Sequence, residues 1–170
     1  TPLAFADAAL GGSASILRRR RRPLMGTVAR IVALHDDGRA AERAIETAFD
    51  ELERVERAMS IFRPDSELSW LNRRAGAGAG AACSEELFGL LERAQRIWRA
   101  SGGAVDPTIL PLVEAWGFGA RGRYAARTPS RLAQAREAVG FDAVELDRRA
   151  GRVRLTRPGS GLDLGGIAKG

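Results

Sequence analysis

The sequence predicts a mixed α+β domain, and three observations support this. A β-branched apolar run at residues 26–34 predicts a strand, and helical spacing of apolar residues follows it at residues 40–59. Two later helices begin at typical N-cap residues, and residues 143–156 alternate as an antiparallel hairpin. Strands separated by helices, with a hairpin near the end, are typical of α+β proteins.

The chain begins with a segment that has no hydrophobic period. Residues 1–22 include five consecutive arginines, Arg18 to Arg22, which Pro23 follows. A block of like charges is typical of a solvated tail. We therefore predict a flexible arginine-rich lead-in over residues 1–22 and one folded domain over residues 23–170.

The first helix follows a turn at Asp37 and Gly38. Its apolar side chains recur every three or four residues, which predicts a long amphipathic helix packed on the first strand. These positions are Ala44, Ile45, Ala48, Leu52, Val55 and Met59. A short second helix is predicted over residues 66–72, with Asp65 or Ser66 as its cap.

The helices and strands after residue 75 are predicted from N-cap residues, from glycines that end helices and from alternating apolar and polar residues. Serine and threonine are N-cap types, proline suits the first helical position, and glycine ends helices. The expected order is a mobile Ala/Gly loop over residues 75–82, a helix from Ser84 to Gly102, a helix from Thr128 to Gly140, and strands at residues 143–147 and 152–156.

The charge distribution argues against nucleic-acid binding. The 170 residues carry 27 basic and 21 acidic side chains, a formal net charge of +6. Arginines alternate with glutamates along residues 51–57, as on a solvated helix face, and no aromatic residue is interleaved with the arginine run. We expect no nucleic-acid partner. No segment is long and apolar enough to predict a membrane-spanning helix.

Cysteine and histidine indicate no catalytic centre. The single cysteine, Cys83, excludes a disulfide within the sequence, and the single histidine, His35, gives no basis for a Cys/His pair. The catalytic residues are therefore unknown from the sequence.

A phosphate site is suggested by the only lysine, Lys169, which lies in a glycine-flanked turn behind Asp163. Every other basic side chain of the Lys/Arg type is arginine. The compact ammonium of lysine is a point charge that suits a phosphate, whereas the arginine guanidinium is planar and delocalised. Gly165 and Gly166 can hold a phosphate through backbone N–H groups if a helix begins there. Chance placement in an arginine-rich composition is the alternative interpretation.

Two further turns contain candidate ligand contacts. Gly103 to Thr108 follows a predicted helix, and its Asp106 can accept a hydrogen bond from a ribose or a ring N–H. The alternative for Asp106 is a plain helix cap. Phe62 can be a platform for ring stacking or a core residue.

Four motifs in sequence order resemble one protein family. They are Met-Gly-Thr at residues 25–27, Phe-Arg-Pro-Asp-Ser-Glu-Leu-Ser…Leu-Asn at residues 62–72, Gly-Gly-Ala-Val-Asp-Pro-Thr…Trp-Gly-Phe at residues 102–118, and Asp-Leu-Gly-Gly-Ile-Ala-Lys-Gly at residues 163–170. Together they resemble the ApbE family, the FAD:protein FMN transferases. The resemblance implies an α+β, T-fold-like domain that binds FAD and, with magnesium, cleaves its pyrophosphate. FMN is then transferred onto a threonine hydroxyl of an acceptor protein, commonly a subunit of a membrane redox pump, and AMP is released.

The resemblance also implies site residues. The expected FAD contacts are Met25, Phe62, Asn72, Ala104, Val105, Asp106, Asp163 and Lys169. Gly166 is expected to offer its backbone carbonyl to magnesium, a cation that takes oxygen ligands. The family often has tyrosine where this chain has Phe62, so a hydrogen bond is lost there while ring packing is kept.

The resemblance implies an incomplete domain, with the other magnesium ligands and the catalytic residues beyond residue 170. The 170-residue piece alone is accordingly expected to be inactive and poorly stable. Two alternatives stay open: an FAD-binding protein or FAD pyrophosphatase of this family that transfers no FMN, and an arginine-rich interaction protein. Family resemblance suggests export to the periplasmic side, in solution or at the membrane.

Overall fold

The computed structural model describes residues 15–118 and 128–168. Its strands are β1 (Ile16–Leu24), β2 (Thr27–His35), β3 (Ala81–Ala82), β4 (Val144–Asp147) and β5 (Arg152–Leu155). Its α-helices are α1 (Gly38–Met59), α2 (Glu67–Asn72), α3 (Glu85–Ala100), α4 (Leu110–Ala115) and α5 (Pro129–Glu137), with 3₁₀ turns at Pro107–Ile109 and Phe141–Ala143. The predicted α+β class is confirmed. None of the described helices is both long and apolar enough to cross a bilayer.

The chain divides into two compact units, residues 1–53 and residues 54–170, with the boundary inside α1. In the first unit, β1 pairs antiparallel with β2, from Ile16 opposite His35 to Leu24 opposite Thr27. The two-residue connection consists of Met25 and Gly26, with φ of 53° and 70°. Positive φ at both positions is the requirement of a tight hairpin turn that matches the strand twist.

The predicted lead-in over residues 1–22 is wrong from residue 16 onward, because these residues form most of β1. Residues 1–14 lie outside the described part of the chain. Alternate arginine side chains of this strand form ion pairs with acidic residues of α1, which reduces the repulsion between them. The ion pairs are Arg18 and Arg20 with Glu42, and Arg22 with Glu46 and Glu53.

The second unit contains a three-stranded antiparallel sheet in the order β3–β5–β4. The predicted hairpin is present, with Val144 opposite Leu155. The predicted loop over residues 75–82 ends earlier than expected, because Ala81 pairs with Val153 in β3. The sheet edge, rather than local sequence preference, orders these two alanines.

The core of the second unit lies between this sheet and helices α2 and α3. Its fully buried side chains include Leu68, Leu71, Leu87, Phe88, Leu91, Phe141, Val153, Leu162 and Leu164. Trp98 stacks on Phe141 with ring centres 5.9 Å apart. The two buried leucines near the end of the chain fix residues 162–164 to this core.

Three predicted helix starts are confirmed by their caps. Ser66, and not Asp65, caps α2 by accepting a hydrogen bond from the Ser69 N–H at 3.0 Å. Ser84 caps α3, and Thr128 caps α5. The last α-helix ends at Glu137 rather than at Gly140, because a 3₁₀ turn at Phe141–Ala143 leads into β4.

Candidate functional site

The turn after α3 presents Ala104 and Val105 to solvent. Gly102 and Gly103 adopt φ of 60° and 84°, a left-handed backbone that reverses the chain at the helix end. The Gly103 N–H donates to the Trp98 carbonyl at 2.9 Å, which closes the turn. Val105 is 45% exposed, which is high for an apolar side chain. The turn therefore leaves two of the predicted FAD contacts accessible.

Asp106 caps the 3₁₀ turn at Pro107–Ile109. This is the helix-cap role that the sequence offered as the alternative to a ligand contact. Its Oδ1 accepts hydrogen bonds from the Thr108 N–H at 2.8 Å and the Thr108 hydroxyl at 2.6 Å. Its Oδ2 accepts one from the Phe141 N–H at 3.3 Å. Both carboxylate oxygens are thus engaged within the fold, and a hydrogen bond from Asp106 to a ribose or ring N–H stays a prediction.

Asn72 lies at the last position of α2, where it is 9% exposed. Its Nδ2 donates to the Leu162 carbonyl at 2.9 Å, and its Oδ1 accepts from the Leu162 N–H at 2.8 Å. These paired bonds join the second motif of the sequence to the last one. Asn72 therefore has a clear structural partner, and its predicted contact with FAD stays a prediction.

Asp163 is held beside the turn that contains Asp106. Its N–H donates to the Pro107 carbonyl at 2.8 Å, and its Oδ1 accepts from the Gly165 N–H at 2.9 Å. Its Oδ2 accepts no hydrogen bond from the described residues. Because Leu162 and Leu164 on either side are fully buried, the Asp163 backbone is fixed while its carboxylate is partly exposed.

Phe62 is 64% exposed, so it is not a core residue. Phe62 lines a cleft of about 250 Å³ formed by the loop before α2, the second half of α2 and α4. The cleft is lined by Ile61, Phe62, Pro64, Ser69, Asn72, Arg73, Leu110 and Glu114. An adjoining cavity of about 230 Å³ shares Asn72, Arg73, Leu110 and Glu114 and reaches residues 159–161. An exposed aromatic ring at a cleft is suited to stacking on a flat ligand.

The sequence interpretation missed two charged residues of this cleft, Arg73 and Glu114. Arg73 follows the Asn72 motif directly and donates to the Pro64 carbonyl at 2.8 Å. Glu114 lies in α4, where a lone acidic residue within an otherwise apolar helix was a signal available in the sequence. The cleft is therefore lined by one cationic and one anionic side chain, which can serve a polar ligand as donor and acceptor.

An exposed ion pair lies next to Phe62 in the loop before α2. Arg63 Nη2 donates to Asp65 Oδ2 at 2.8 Å. This hydrogen bond lowers the pKa of the Asp65 carboxyl below its usual value, because it stabilises the ionised form. At neutral pH the Asp65 carboxylate is therefore ionised and pairs with Arg63 across Pro64.

Three further predicted site residues are not among those that line the cleft. Met25 is in the hairpin turn of the first unit. Gly166 is exposed in the turn after Asp163, and Lys169 lies outside the described residues. Within residues 15–118 and 128–168, no three Asp, Glu, His or Cys side chains converge in a geometry that could hold a metal ion.

The sequence matches known proteins over most of its length. The ApbE family model matches residues 25–170. A protein of Treponema pallidum named FAD:protein FMN transferase is 37% identical over 170 residues, covering 94% of this chain and 46% of the relative. A protein of Haemophilus influenzae with the same name is 33% identical over 151 residues, covering 86% and 44%.

Solved structures agree with the sequence match. The flavin transferase ApbE from Vibrio cholerae superposes with a TM-score of 0.80 at 30% identity, covering 91% of this chain and 50% of that one. The ApbE protein of Thermotoga maritima gives 0.78 at 26% identity. The chain spans about half the length of the relatives it matches. The family match, together with the shared fold, shows that this chain belongs to the ApbE family.

Proposed function

We propose that the chain is part of an FAD:protein FMN transferase, which moves the FMN moiety of FAD onto a threonine hydroxyl of an acceptor protein and releases AMP. The observation that carries the proposal is the convergence of three sequence-distant motifs. Asn72 binds the Leu162 backbone, and Pro107 binds the Asp163 backbone, so the motifs of the family meet in one place. Relatives named FAD:protein FMN transferase support the activity.

FAD would bind across the exposed groups of these motifs. Phe62 offers an accessible ring for stacking on the isoalloxazine or adenine ring. Ala104 and Val105 offer an exposed backbone and apolar surface in the next motif. Asp163 and Lys169 are proposed to contact the polar part of the substrate, with the ammonium of Lys169 near the phosphates.

Magnesium is proposed as the metal because the donors of residues 163–166 suit a hard cation. One carboxylate oxygen of Asp163 accepts no hydrogen bond from the described residues, and the Gly166 backbone is exposed. Carboxylate and carbonyl oxygens are preferred ligands of magnesium, which commonly shares substrate phosphates. The Gly166 carbonyl would hold part of its ligand set, next to Asp163 as an FAD contact, and the bound ion would supply charge neutralisation at the pyrophosphate.

The transfer itself exchanges one phosphorus–oxygen bond for another. The threonine oxygen attacks the phosphorus on the riboflavin side of the pyrophosphate, and a new P–O bond forms. The bond from that phosphorus to the bridging oxygen breaks, and the bridging oxygen leaves with AMP. The hydroxyl proton passes to a general base. Asp106 is unsuited to that role, because both of its carboxylate oxygens already accept hydrogen bonds within the fold.

The acceptor is proposed to be a subunit of a membrane redox pump. The proposed location is the periplasmic side, in solution or at the membrane. Both follow from the family resemblance. They are tested by the identity and compartment of any protein that receives covalent FMN.

The first test is FAD binding by the protein expressed from its full gene, with and without magnesium. Lys169→Ala should weaken FAD binding about tenfold, because a charge-assisted contact to phosphate is lost. Arg21→Ala is the matched control, since it removes the same charge from a strand position whose side chain faces away from α1. An equal loss in both variants would indicate a diffuse charge effect, and no saturable FAD binding by wild type would overturn the proposal.

The second test distinguishes transfer from hydrolysis. The protein is incubated with FAD, magnesium and the membrane fraction of its source cells, and covalent flavin is followed by fluorescence after denaturing electrophoresis. FMN ester-linked to a threonine, located by mass spectrometry, supports transfer. Release of free FMN and AMP without labelled protein would instead support the FAD pyrophosphatase alternative.

A further inference from the structure

The amide of Asn72 is fully used by one backbone residue. It donates to the Leu162 carbonyl at 2.9 Å and accepts from the Leu162 N–H at 2.8 Å, in a site where Asn72 is 9% exposed. The amide thus satisfies both the N–H and the carbonyl of Leu162, as the backbone of a neighbouring β-strand does in a sheet. Turning it toward a ligand would leave a buried N–H and a buried carbonyl unsatisfied, which is costly.

The helix that carries Asn72 is itself anchored. Ser66 caps α2, and its hydroxyl donates to the Ser60 carbonyl at 2.6 Å. The hydroxyl of Ser69, one turn before Asn72, donates to the same carbonyl at 3.2 Å. Asn72 therefore reaches the Leu162 backbone from a fixed support.

The residue after Leu162 is held from the opposite direction. The Asp163 N–H donates to the Pro107 carbonyl at 2.8 Å. The side chains of Leu162 and Leu164 are completely buried, whereas Asp163 between them is partly exposed, so its side chain points away from the core. The direction of the Asp163 carboxylate is set by its own backbone and by the Gly165 N–H, which donates to its Oδ1 at 2.9 Å. The backbone at Asp163 is held through the Asn72 bonds to Leu162 on one side and through Pro107 on the other.

We propose that Asn72 is a positioning residue for Asp163 and does not contact FAD. Its two hydrogen bonds hold the Leu162 peptide, and this peptide orients the neighbouring carboxylate toward the substrate. The inference rests on the proposed FAD site. It replaces the direct contact that the family resemblance implies for Asn72 with an indirect role.

A double-mutant cycle on FAD affinity tests this role. Asp163→Ala should weaken FAD binding about tenfold, and Asn72→Ala should weaken it by up to about tenfold. If Asn72 acts only through Asp163, the double variant binds FAD about as well as Asp163→Ala alone. If Asn72 touches FAD independently, the two losses multiply to as much as about a hundredfold, and the positioning role is overturned.

Thr156→Val is the matched control for general weakening of the fold. It removes a side-chain hydrogen bond to a backbone carbonyl, that of Ala143 at 3.1 Å, at a residue that lines neither the cleft nor the adjoining cavity. It should lower stability and leave FAD affinity unchanged. If Asn72→Ala does likewise, Asn72 is merely structural and the inference is wrong.

The remaining outcomes are also decisive. If Asn72→Ala does not fold, the cycle is repeated with Asn72→Asp, which keeps an acceptor for the Leu162 N–H and loses the donor to its carbonyl. Unchanged FAD binding by Asp163→Ala overturns the positioning role while leaving an FAD site in place. Absence of FAD binding by wild type overturns the proposed function itself, so the two failures are distinguishable.

Discussion

The side-chain hydroxyl of Thr108 accepts a hydrogen bond of 2.7 Å from the backbone N–H of Gly140. The same hydroxyl donates to Asp106 Oδ1 at 2.6 Å, so one buried atom links the turn before α4 to the residues before β4. Thr108 is 1% exposed. The Asp-Pro-Thr motif is therefore a junction between two segments as well as a helix cap.

Replacing Thr108 by valine should destabilise the protein by about 2 kcal/mol, because it keeps the shape and leaves the Gly140 N–H without its acceptor. Urea unfolding at constant m-value measures this loss. Thr108→Ser keeps the hydroxyl and should retain the Gly140 bond, at a cost of about 1 kcal/mol for the lost methyl group. A serine variant that is less stable than the valine variant would contradict the assigned role.

Adjacent arginines of β1 should differ in their effect on stability. Arg22 lies 4.5 Å from the centre of the Phe49 ring and pairs with Glu46 and Glu53. Arg22→Ala should cost about 1–2 kcal/mol, summed over a cation–π contact and partly exposed ion pairs. Arg21 faces away from α1, and Arg21→Ala should change stability by less than about 0.5 kcal/mol.

Thermal or urea unfolding of the two variants, at low and high salt, measures this difference. Salt should reduce the loss in Arg22→Ala and not abolish it, because ring packing is not screened as ion pairs are. Equal effects in both variants would mean that β1 is held by its backbone pairing alone.

Phe62 should matter for binding and not for folding. Its ring is 64% exposed, so Phe62→Ala should change the unfolding free energy by less than about 0.5 kcal/mol. The same variant should weaken FAD binding about fivefold to tenfold through loss of stacking. Phe62→Tyr keeps the ring and serves as the control, with FAD affinity equal to or above that of wild type. Full FAD affinity in Phe62→Ala would remove this ring from the proposed site.

Cys83 should make the protein less stable at alkaline pH. Burial, assisted by the charge of Glu67, raises the pKa of its thiol from 9.0 to about 11. Above about pH 9 the unfolded chain loses this proton while the folded chain keeps it, so the free energy of unfolding falls as pH rises to about 11. Unfolding midpoints measured across this range should fall more steeply for wild type than for Cys83→Ala. Parallel curves would show that the thiol titrates normally.

Local rules in the sequence predicted most of the helices. Ser66, Ser84 and Thr128 cap their helices as their residue types indicated, because N-capping depends on a few consecutive residues. The hairpin of β4 and β5 was likewise predicted from the alternation of apolar and polar residues. The order of elements and the α+β class follow from these short-range signals.

The sequence-based predictions that were wrong concern segments whose structure depends on residues far away in the sequence. The arginine run forms a strand through backbone pairing with β2, and Glu42, Glu46 and Glu53 form ion pairs with alternate arginines of it. The charge pattern of residues 18–22 alone does not predict these partners. Ala81 likewise pairs with a residue distant in sequence, Val153 of β5. The motifs identified the family, but the contribution of Arg73 and Glu114 to the cleft depends on how α2 and α4 pack.

The bond between Asn72 and Leu162 closes a loop of 90 residues. Closing so long a loop lowers the conformational entropy of the chain before the contacts that stabilise it are formed. Such contacts are therefore expected to form late in folding. We expect the helices between these two residues to acquire structure first and the Asp163 segment to be ordered last. FAD binding in a refolding experiment should therefore lag behind the recovery of helical circular dichroism, and it should report completion of the fold rather than its onset.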